Sequence, residues 1–308
     1  MCERFASGRP EKVFVMGENQ FAPGGSSAVP GIWDHLAPGT PRPKVSVIVP
    51  AMNEARNLPH VAARMPPDVD EIVVVDGHSV DDTVAVGRAL WPDGIHVTQS
   101  RKGKGNALAC GFAASSGEII VMIDADGSTD PQEISRYVST LVDGADYAKG
   151  SRFVAGGGSA DITKVRRVGN WGLNLIVNTL FSCRFTDLCY GYNAFWRQCL
   201  GVMQLPSTAE PDPQWGDGFE IETLINVRIA VSGLRVAEVH SFEANRIHGE
   251  SNLNAVRDGL RVLRTIRQEF THQRRSARSV GPVRNLPPVP AAPEPRGDSG
   301  WARSRNVS

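Results

Sequence analysis

The sequence has no charge imbalance, no metal-type cysteine pattern and no long apolar run. Lys plus Arg number 33 and Asp plus Glu 33, so overall charge points to no partner. The five cysteines are Cys2, Cys110, Cys183, Cys189 and Cys199. They include no CxxC pair and match no zinc spacing, which reads as reduced core thiols in a cytoplasmic protein. No signal peptide is expected, and no apolar run reaches the roughly 18 residues of a membrane-crossing helix. The longest apolar neighbourhood, 173–181, is broken by Asn174 and Asn178. GxxxxGK[ST] is absent, which excludes a Walker A loop.

What is present supports a real core. Apolar residues make up 41% of 308 residues, enough for one large or two small domains. Residues 1–43, with "FAPGGSSAVPG" and "APGTPRP", read as a flexible arm, and 272–308, with "NLPPVPAAPEP", as a disordered Pro- and Arg-rich tail. From Arg257 onward there are 11 Arg and 4 acidic residues, a net of +7 that leaves −7 on the rest. A basic tail suits an anionic partner such as a membrane surface. Nucleic acid is not expected, because the tail lacks aromatic interleaving and any recognised module.

The ordered part, 44–250, alternates strands and helices. Strands are expected at 44–51, 71–77, 95–100 and 118–126, and helices at 54–65, 79–90 (Ser79 as N-cap) and 106–115. Continuous Val/Ile runs between helices predict an α/β, Rossmann-like, mostly parallel sheet with helices on both faces. Ligands of such sheets bind at the carboxyl ends of the strands. Three strands end there in polar residues: Asn53 and Glu54, then Asp76, then Asp124 and Asp126. In "VMIDADGSTDP" (121–131) two carboxylates follow a buried strand, one residue apart. An Asp-Gly turn alone accounts for a lone DxD. The convergence of acids at one edge points instead to a cation held between them.

"VSVIVPAMNEARNL", "EIVVVDGHSVDDT", "RKGKGNAL" and "VMIDADGSTDP" together resemble the nucleotide-sugar half of family 2 glycosyltransferases, which have the GT-A fold. "GSRFVAGG" (150–157) and "DLCYGYNAFWR" (187–197) resemble the branch that includes dolichol-phosphate mannose synthase and bacterial polyprenyl-phosphate glycosyltransferases. The resemblance spans 44–255. It implies a metal-dependent, inverting transfer of a hexose from a GDP- or UDP-sugar to a polyprenyl phosphate. Mg2+ or Mn2+ would sit on Asp124 and Asp126 with the donor diphosphate. Such hard cations prefer carboxylate oxygens and stabilise the departing charge. Ser128 stands where a third metal contact can occur in that branch.

The resemblance also assigns other positions. Pro50, Ala51, Asn53 and Glu54 would wall the nucleotide, with Ala125 between the two acids. Asp76 would accept hydrogen bonds from base or ribose, or else cap a helix; Gly77 follows it where the family often has a second Asp. Lys102, Gly103 and Lys104 form a Gly-spaced basic loop suited to anionic groups at a helix start, or are surface charges. Arg152 and Arg166 stand where relatives grip the acceptor phosphate, with Asn170 in place of a Ser; surface arginines are the alternative. Asp187 is expected to position donor sugar or acceptor, and Asp126 and Asp187 are the expected catalytic carboxylates. Glu220 and Glu222 are either further carboxylates of the site or structural. His248, in "RIHGESNL", would touch the diphosphate. Two segments could meet a membrane peripherally: 164–182, and a basic amphipathic helix at 251–271 with Ser251 as N-cap. Its Leu253, Val256, Leu260, Leu263 and Phe270 would form the apolar face, beside Arg257, Arg261, Arg264 and Arg267. Two other readings remain: the same donor chemistry with a soluble hydroxyl acceptor, and a non-catalytic nucleotide-binding scaffold.

Overall fold

The structure is a computed structural model and describes residues 13–15, 29–34, 39–40, 42–250 and 255–279. Chain contacts divide the protein into a large unit, Met1–Thr271, and a short one, His272–Ser308. In the short unit the described residues are helical up to Ser279.

Ten strands and eight α-helices are described: β1 (Val13–Val15), β2 (Val45–Ala51), α1 (Leu58–Arg64), β3 (Glu71–Asp76), α2 (Thr83–Leu90), β4 (Ile95–Thr98), α3 (Lys104–Ala114), β5 (Ile119–Met122), α4 (Ile134–Val142), β6 (Tyr147–Ser151), β7 (Gly158–Ser159), α5 (Lys164–Phe181), β8 (Asn193–Trp196), α6 (Cys199–Met203), α7 (Ile221–Val231), β9 (Val236–His240), β10 (Phe242–Glu243) and α8 (Ala255–Ser279). One eight-stranded sheet runs β1-β9-β6-β8-β5-β2-β3-β4, and β7 pairs with β10 separately. Within the large sheet β8 is antiparallel to both neighbours, and the other pairs are parallel.

Both faces of the sheet are covered, which is why its central strands read as unbroken apolar runs. In β2, Val45, Val47 and Val49 enter one hydrophobic cluster with Leu58, Val61 and Tyr137, while Ile48 enters the other with Leu108, Phe112 and Ile221. Successive side chains of a strand point to opposite faces, so one strand feeds both cores. The expected mostly parallel α/β sheet is thus what the chain forms.

Several expected boundaries move. The strand expected at 118–126 leaves the ladder after Met122, so both aspartates lie on a turn. The helix expected from Ser79 starts at Thr83, where the backbone N–H donates to Asp81. Ser79 instead accepts a hydrogen bond from the Asn53 backbone. The arm drawn at 1–43 is not wholly outside the fold. Val13–Val15 pairs with β9, and Ile32 and Trp33 are buried, their N–H groups donating to Asp68. Helix α8 continues to Ser279, past the expected end at 271. Ser251 and Leu253 lie outside the described residues, as does the side chain of Val256. In α8 the buried face is Asp258, Val262, Thr265, Ile266 and Glu269, and Leu260 and Leu263 are exposed. The apolar stripe expected of that helix is therefore split between the core and the surface.

The amino ends of the central strands are tied by one carboxylate. Glu71 accepts hydrogen bonds from Lys44 Nζ (3.0 Å), Ser46 Oγ (2.7 Å) and Ser116 N and Oγ (2.6 Å each). Burial resists its ionisation, but the hydrogen bonds from Ser116 and Ser46 outweigh that and hold its carboxyl at about 2, against an ordinary 4.5. Its contribution to stability is complete above pH 4.5 and is lost as pH falls toward about 2. Denaturant titrations across that window should show a steeper acid loss for the wild type than for Glu71→Gln, which is less stable at neutral pH.

Candidate active site

Strands β2, β3 and β5 are parallel neighbours, so their carboxyl ends share one edge. Beyond β2, Asn53 adopts a left-handed conformation (φ 60). Its backbone N–H donates to Ser79 Oγ and its Oδ1 accepts from Val80 N, each at 2.9 Å. The Glu54 N–H donates to Thr83 Oγ1 at 2.8 Å, and Gly77 N–H to the Ala51 carbonyl at 2.7 Å. These bonds knit the segments after β2 and β3 into one wall, carrying Pro50, Ala51, Asn53 and Glu54. Asp76 closes the turn after β3, accepting the N–H groups of His78 (3.2 Å) and Ser79 (3.1 Å). A Cβ on Gly77 would lie 2.8 Å from the Met52 Cβ, so no side chain fits where the family often has a second Asp.

Asp124 and Asp126 flank the buried Ala125 on the turn after β5. Each is met by a cation of the chain itself. Lys104 Nζ lies 2.6 Å from Asp124 and 2.7 Å from Glu222. Arg246 reaches Glu54 at 2.8 Å and Asp126 at 3.0 Å. Burial disfavours the Lys104 ammonium, but the charges of Asp124 and Glu222 outweigh it and keep it protonated. A Cβ on Gly191 would lie 2.6 Å from Glu222 Oε1 and 2.9 Å from Lys104 Nζ, so a larger residue there would push this pair aside. Ser128 donates its N–H (2.9 Å) and its hydroxyl (2.6 Å) to Asp126 Oδ1. It orients that carboxylate.

A second ionic group lies at the end of β6. Arg152 is buried and spends its guanidinium on two carboxylates: Asp187 through Nε (2.7 Å) and Nη2 (2.9 Å), and Glu243 through Nη1 (2.9 Å). Asp187 also accepts the Arg152 N–H at 3.1 Å. Asp187 is held from behind by helix α5: Asn174 Nδ2 donates to the Thr186 carbonyl and Asn178 Nδ2 to the Phe185 carbonyl, each at 2.8 Å. Asn170, one turn earlier, is buried and its Oδ1 has no hydrogen-bond partner. Arg166, at the start of α5, pairs with Asp161 at 2.6 Å. Arg152, Arg166, Asn170 and Glu222 all border one cavity of about 480 Å³. Its walls are apolar, from Ile162, Leu173 and Ile176 on one side and Leu260 and Leu263 on the other.

The structure brings together most of the residues singled out in the sequence and gives several of them partners within the chain. Arg152 and Asp187 are partners of each other. The loop 101–104 is no open cradle for an anion, because the N–H groups of Gly105 and Asn106 donate to the Asp217 carbonyl at 2.8 and 3.2 Å. Gly103 has φ 127, and a Cβ there would lie 2.1 Å from that carbonyl oxygen. Lys102 is exposed, whereas Lys104 turns inward. Glu220 accepts the N–H groups of Gly216 and Gly218 and shapes the loop before α7. His248 lies beside the His60 ring, 5.7 Å between centroids, and its carbonyl accepts from Asn57. Arg246, two residues earlier, is the residue of that segment that reaches Glu54 and Asp126. Sequence reasoning missed Arg246, Glu243, and the buried Arg101–Asp217 pair that fixes the loop. Among the described residues no group of three His, Cys, Asp or Glu side chains forms a metal cage.

A family model described as Glycosyl transferase family 2 matches residues 46–200. The chain belongs to this family and is a glycosyltransferase of GT-A fold. Polyprenol monophosphomannose synthase of Mycolicibacterium smegmatis is 33% identical over 230 residues, covering 70% of this chain and 84% of the relative. Undecaprenyl-phosphate mannosyltransferase of Micrococcus luteus is 30% identical over 220 residues, covering 68% and 88%. Among solved structures, glucosyl-3-phosphoglycerate synthase of Mycobacterium tuberculosis, in complex with Mn2+, uridine diphosphate and glucosyl-3-phosphoglycerate, superposes with a TM-score of 0.57 at 24% identity, covering 74% and 80%. The same enzyme with Mg2+ and uridine diphosphate gives 0.58 at 24% identity, covering 74% and 80%. These structures share the fold of this chain.

Removing one partner of a buried ion pair strands the other charge, at a cost of about 3–5 kcal/mol. Lys104→Met should lose stability of that order in urea unfolding. The double variant Lys104→Met/Glu222→Gln should recover roughly 0.5–3 kcal/mol of it, because the two sites are in contact.

Proposed function

We propose that the chain moves a hexose, mannose or glucose, from a GDP- or UDP-sugar to a polyprenyl phosphate. The observation that carries this reading is the cavity beside Glu222. It combines a cationic and amide rim (Arg166, Asn170) with apolar walls, and it lies one side chain, Lys104, away from Asp124. An acceptor with a phosphate head and a hydrocarbon tail fits that pairing of surfaces. The polyprenyl-phosphate enzymes among its relatives support the same acceptor.

The carboxylates fit a divalent metal. They are hard oxygen donors, the side chains of Asp124 and Asp126 are 31% and 16% exposed, and the chain already sets a cation against each. Bound there, Mg2+ or Mn2+ would supply charge stabilisation to the leaving nucleoside diphosphate. The residues of the chain do the remaining work. Ser128 aims Asp126, Lys104 ties Asp124 to Glu222 at the acceptor cavity, and the fully buried Asp187 holds Arg152, which borders that cavity. A phosphate monoester is already an anion near neutral pH and needs no general base. Arg166 meets it as a guanidinium fork suited to phosphate oxygens. A single displacement at the anomeric carbon inverts its configuration.

The surface around the cavity supports peripheral membrane contact. Val165, Val168, Trp171 and Leu175 of α5 and Leu260 and Leu263 of α8 are exposed apolar residues, next to Lys164, Arg166 and Arg167. No helix among the described residues is long and apolar enough to cross a membrane. Apolar side chains flanked by basic ones suit the interface of an anionic bilayer. The four described cysteines are free, in keeping with a site on the cytosolic face. A second reading, a soluble hydroxyl acceptor, draws on Glu222, a carboxylate at the cavity that could take a proton.

Incubation of the full chain with radiolabelled GDP- and UDP-sugars, short-chain polyprenyl phosphate and Mn2+ or Mg2+ should give extractable labelled lipid. The label should vanish with a chelator and in Asp126→Ala. Donor binding without lipid label would overturn the polyprenyl acceptor and favour the soluble one. Arg166→Gln should raise the KM for polyprenyl phosphate about tenfold, the loss of one charge-assisted contact, with the donor KM nearly unchanged. Trp171→Glu with Leu175→Glu should cut binding to anionic vesicles about tenfold or more in co-sedimentation.

A further inference from the structure

The segment that carries Arg246 is strapped across the turn of the two aspartates. The Ala244 N–H donates to the Ser128 carbonyl at 2.8 Å, and the Ile247 N–H to the Asp126 carbonyl at 3.3 Å. Asn57 Nδ2 donates to the His248 carbonyl at 3.0 Å. The Ile247 side chain covers Gly127 so closely that a Cβ there would lie 2.6 Å from its Cδ1. Between these ties Arg246 spans Glu54 and Asp126.

We propose that Arg246 is a built-in counter-ion for the donor site, which neutralises Glu54 and Asp126 in the ligand-free protein and must release Asp126 when a divalent cation enters. The inference rests on the metal reading above. It follows from the charges around the Asp126 carboxylate. Each carboxylate oxygen has about two acceptor positions. Oδ1 already accepts the Ser128 N–H and hydroxyl, and is filled. Oδ2 faces Arg246. A divalent cation reaching Oδ2 meets a guanidinium of the same sign within a few ångströms, in a site partly shielded from water. One of the two must withdraw.

The consequence is coupling. A metal arriving alone must displace Arg246 and leave it without its second carboxylate. A metal arriving with a nucleoside diphosphate brings phosphate oxygens that the fork can take instead. Metal and diphosphate should each raise the affinity of the other by the same factor. The fork that opposes the metal alone thus becomes the reason the two ligands enter together.

The test is Mn2+ binding to the full chain, read from the electron paramagnetic resonance signal of free Mn2+, without nucleotide and then with GDP or UDP. If the arginine-bound form dominates the free protein by about ten to one, Arg246→Gln should bind Mn2+ alone about tenfold more tightly than wild type. The gain in Mn2+ affinity that the nucleotide gives wild type should shrink to about twofold or less in that variant. Arg246→Lys keeps the charge and should stay within about twofold of wild type for Mn2+ alone, which separates charge competition from a disturbed loop. Circular dichroism melts confirm that each variant is folded. A glutamine variant no tighter than wild type, while Asp126→Asn abolishes Mn2+ binding, would overturn the inference and leave the metal site standing. A lysine variant as tight as the glutamine one would also overturn it. Mn2+ binding untouched by Asp126→Asn would overturn the metal assignment itself, and the counter-ion role with it.

Discussion

Six carboxylates crowd the carboxyl edge of the sheet, and three cations hold them there. Lys104 spans Asp124 and Glu222, Arg246 spans Glu54 and Asp126, and Arg152 spans Asp187 and Glu243. Like charges at such spacing raise one another's energy unless each finds an opposite charge. Each cation comes from a different part of the chain: the start of α3, the end of β6 and the loop after β10. The ionic pattern therefore staples the carboxyl edge of the sheet to the cavity beside Glu222, and its excess of acids over bases leaves the edge ready for further positive charge.

The half of the site built by local sequence was legible. Strand-ending acids are visible because a parallel sheet places all such ends on one edge, and the order of motifs made that sheet certain to be recognised. The partners of those acids were not legible. Lys104 meets Glu222 across 118 residues, and Arg246 meets Glu54 across 192. Such pairings depend on how loops cross the sheet edge, and no local pattern reports that. Arg152 and Asp187 were each visible as charged residues in conspicuous motifs, yet nothing in either motif says that they bind each other. The closed start of α3 was hidden for the same reason, since its partner is a backbone carbonyl of a distant loop. In α8 the heptad-like spacing of Leu260 and Leu263 signalled an apolar face but not that Val262 and Ile266 would take the core side.

Helix α5 presents two different faces beside the cavity. Its inward rungs, Asn174 and Asn178, hold the segment before Asp187. Its outward residues, Val168, Trp171 and Leu175, face away from the protein. A helix fixed by amide clamps on one side can present a greasy surface on the other without relying on that surface for its own packing. Asn170 sits where the two faces meet at the cavity.

The buried Ile32 and Trp33 alter where this enzyme can be cut. Composition alone draws the border of the ordered part at residue 44, amid prolines and glycines. Removing everything before it would take two large side chains out of the cluster that backs β2, and would leave the Asp68 carboxylate without the N–H groups that satisfy it. A shortened version begun at Lys44 keeps every motif of the sheet's carboxyl edge and still loses a wall of the core behind the strand that presents Asn53 and Glu54. Recombinant versions meant to retain that wall therefore have to start upstream of Gly31.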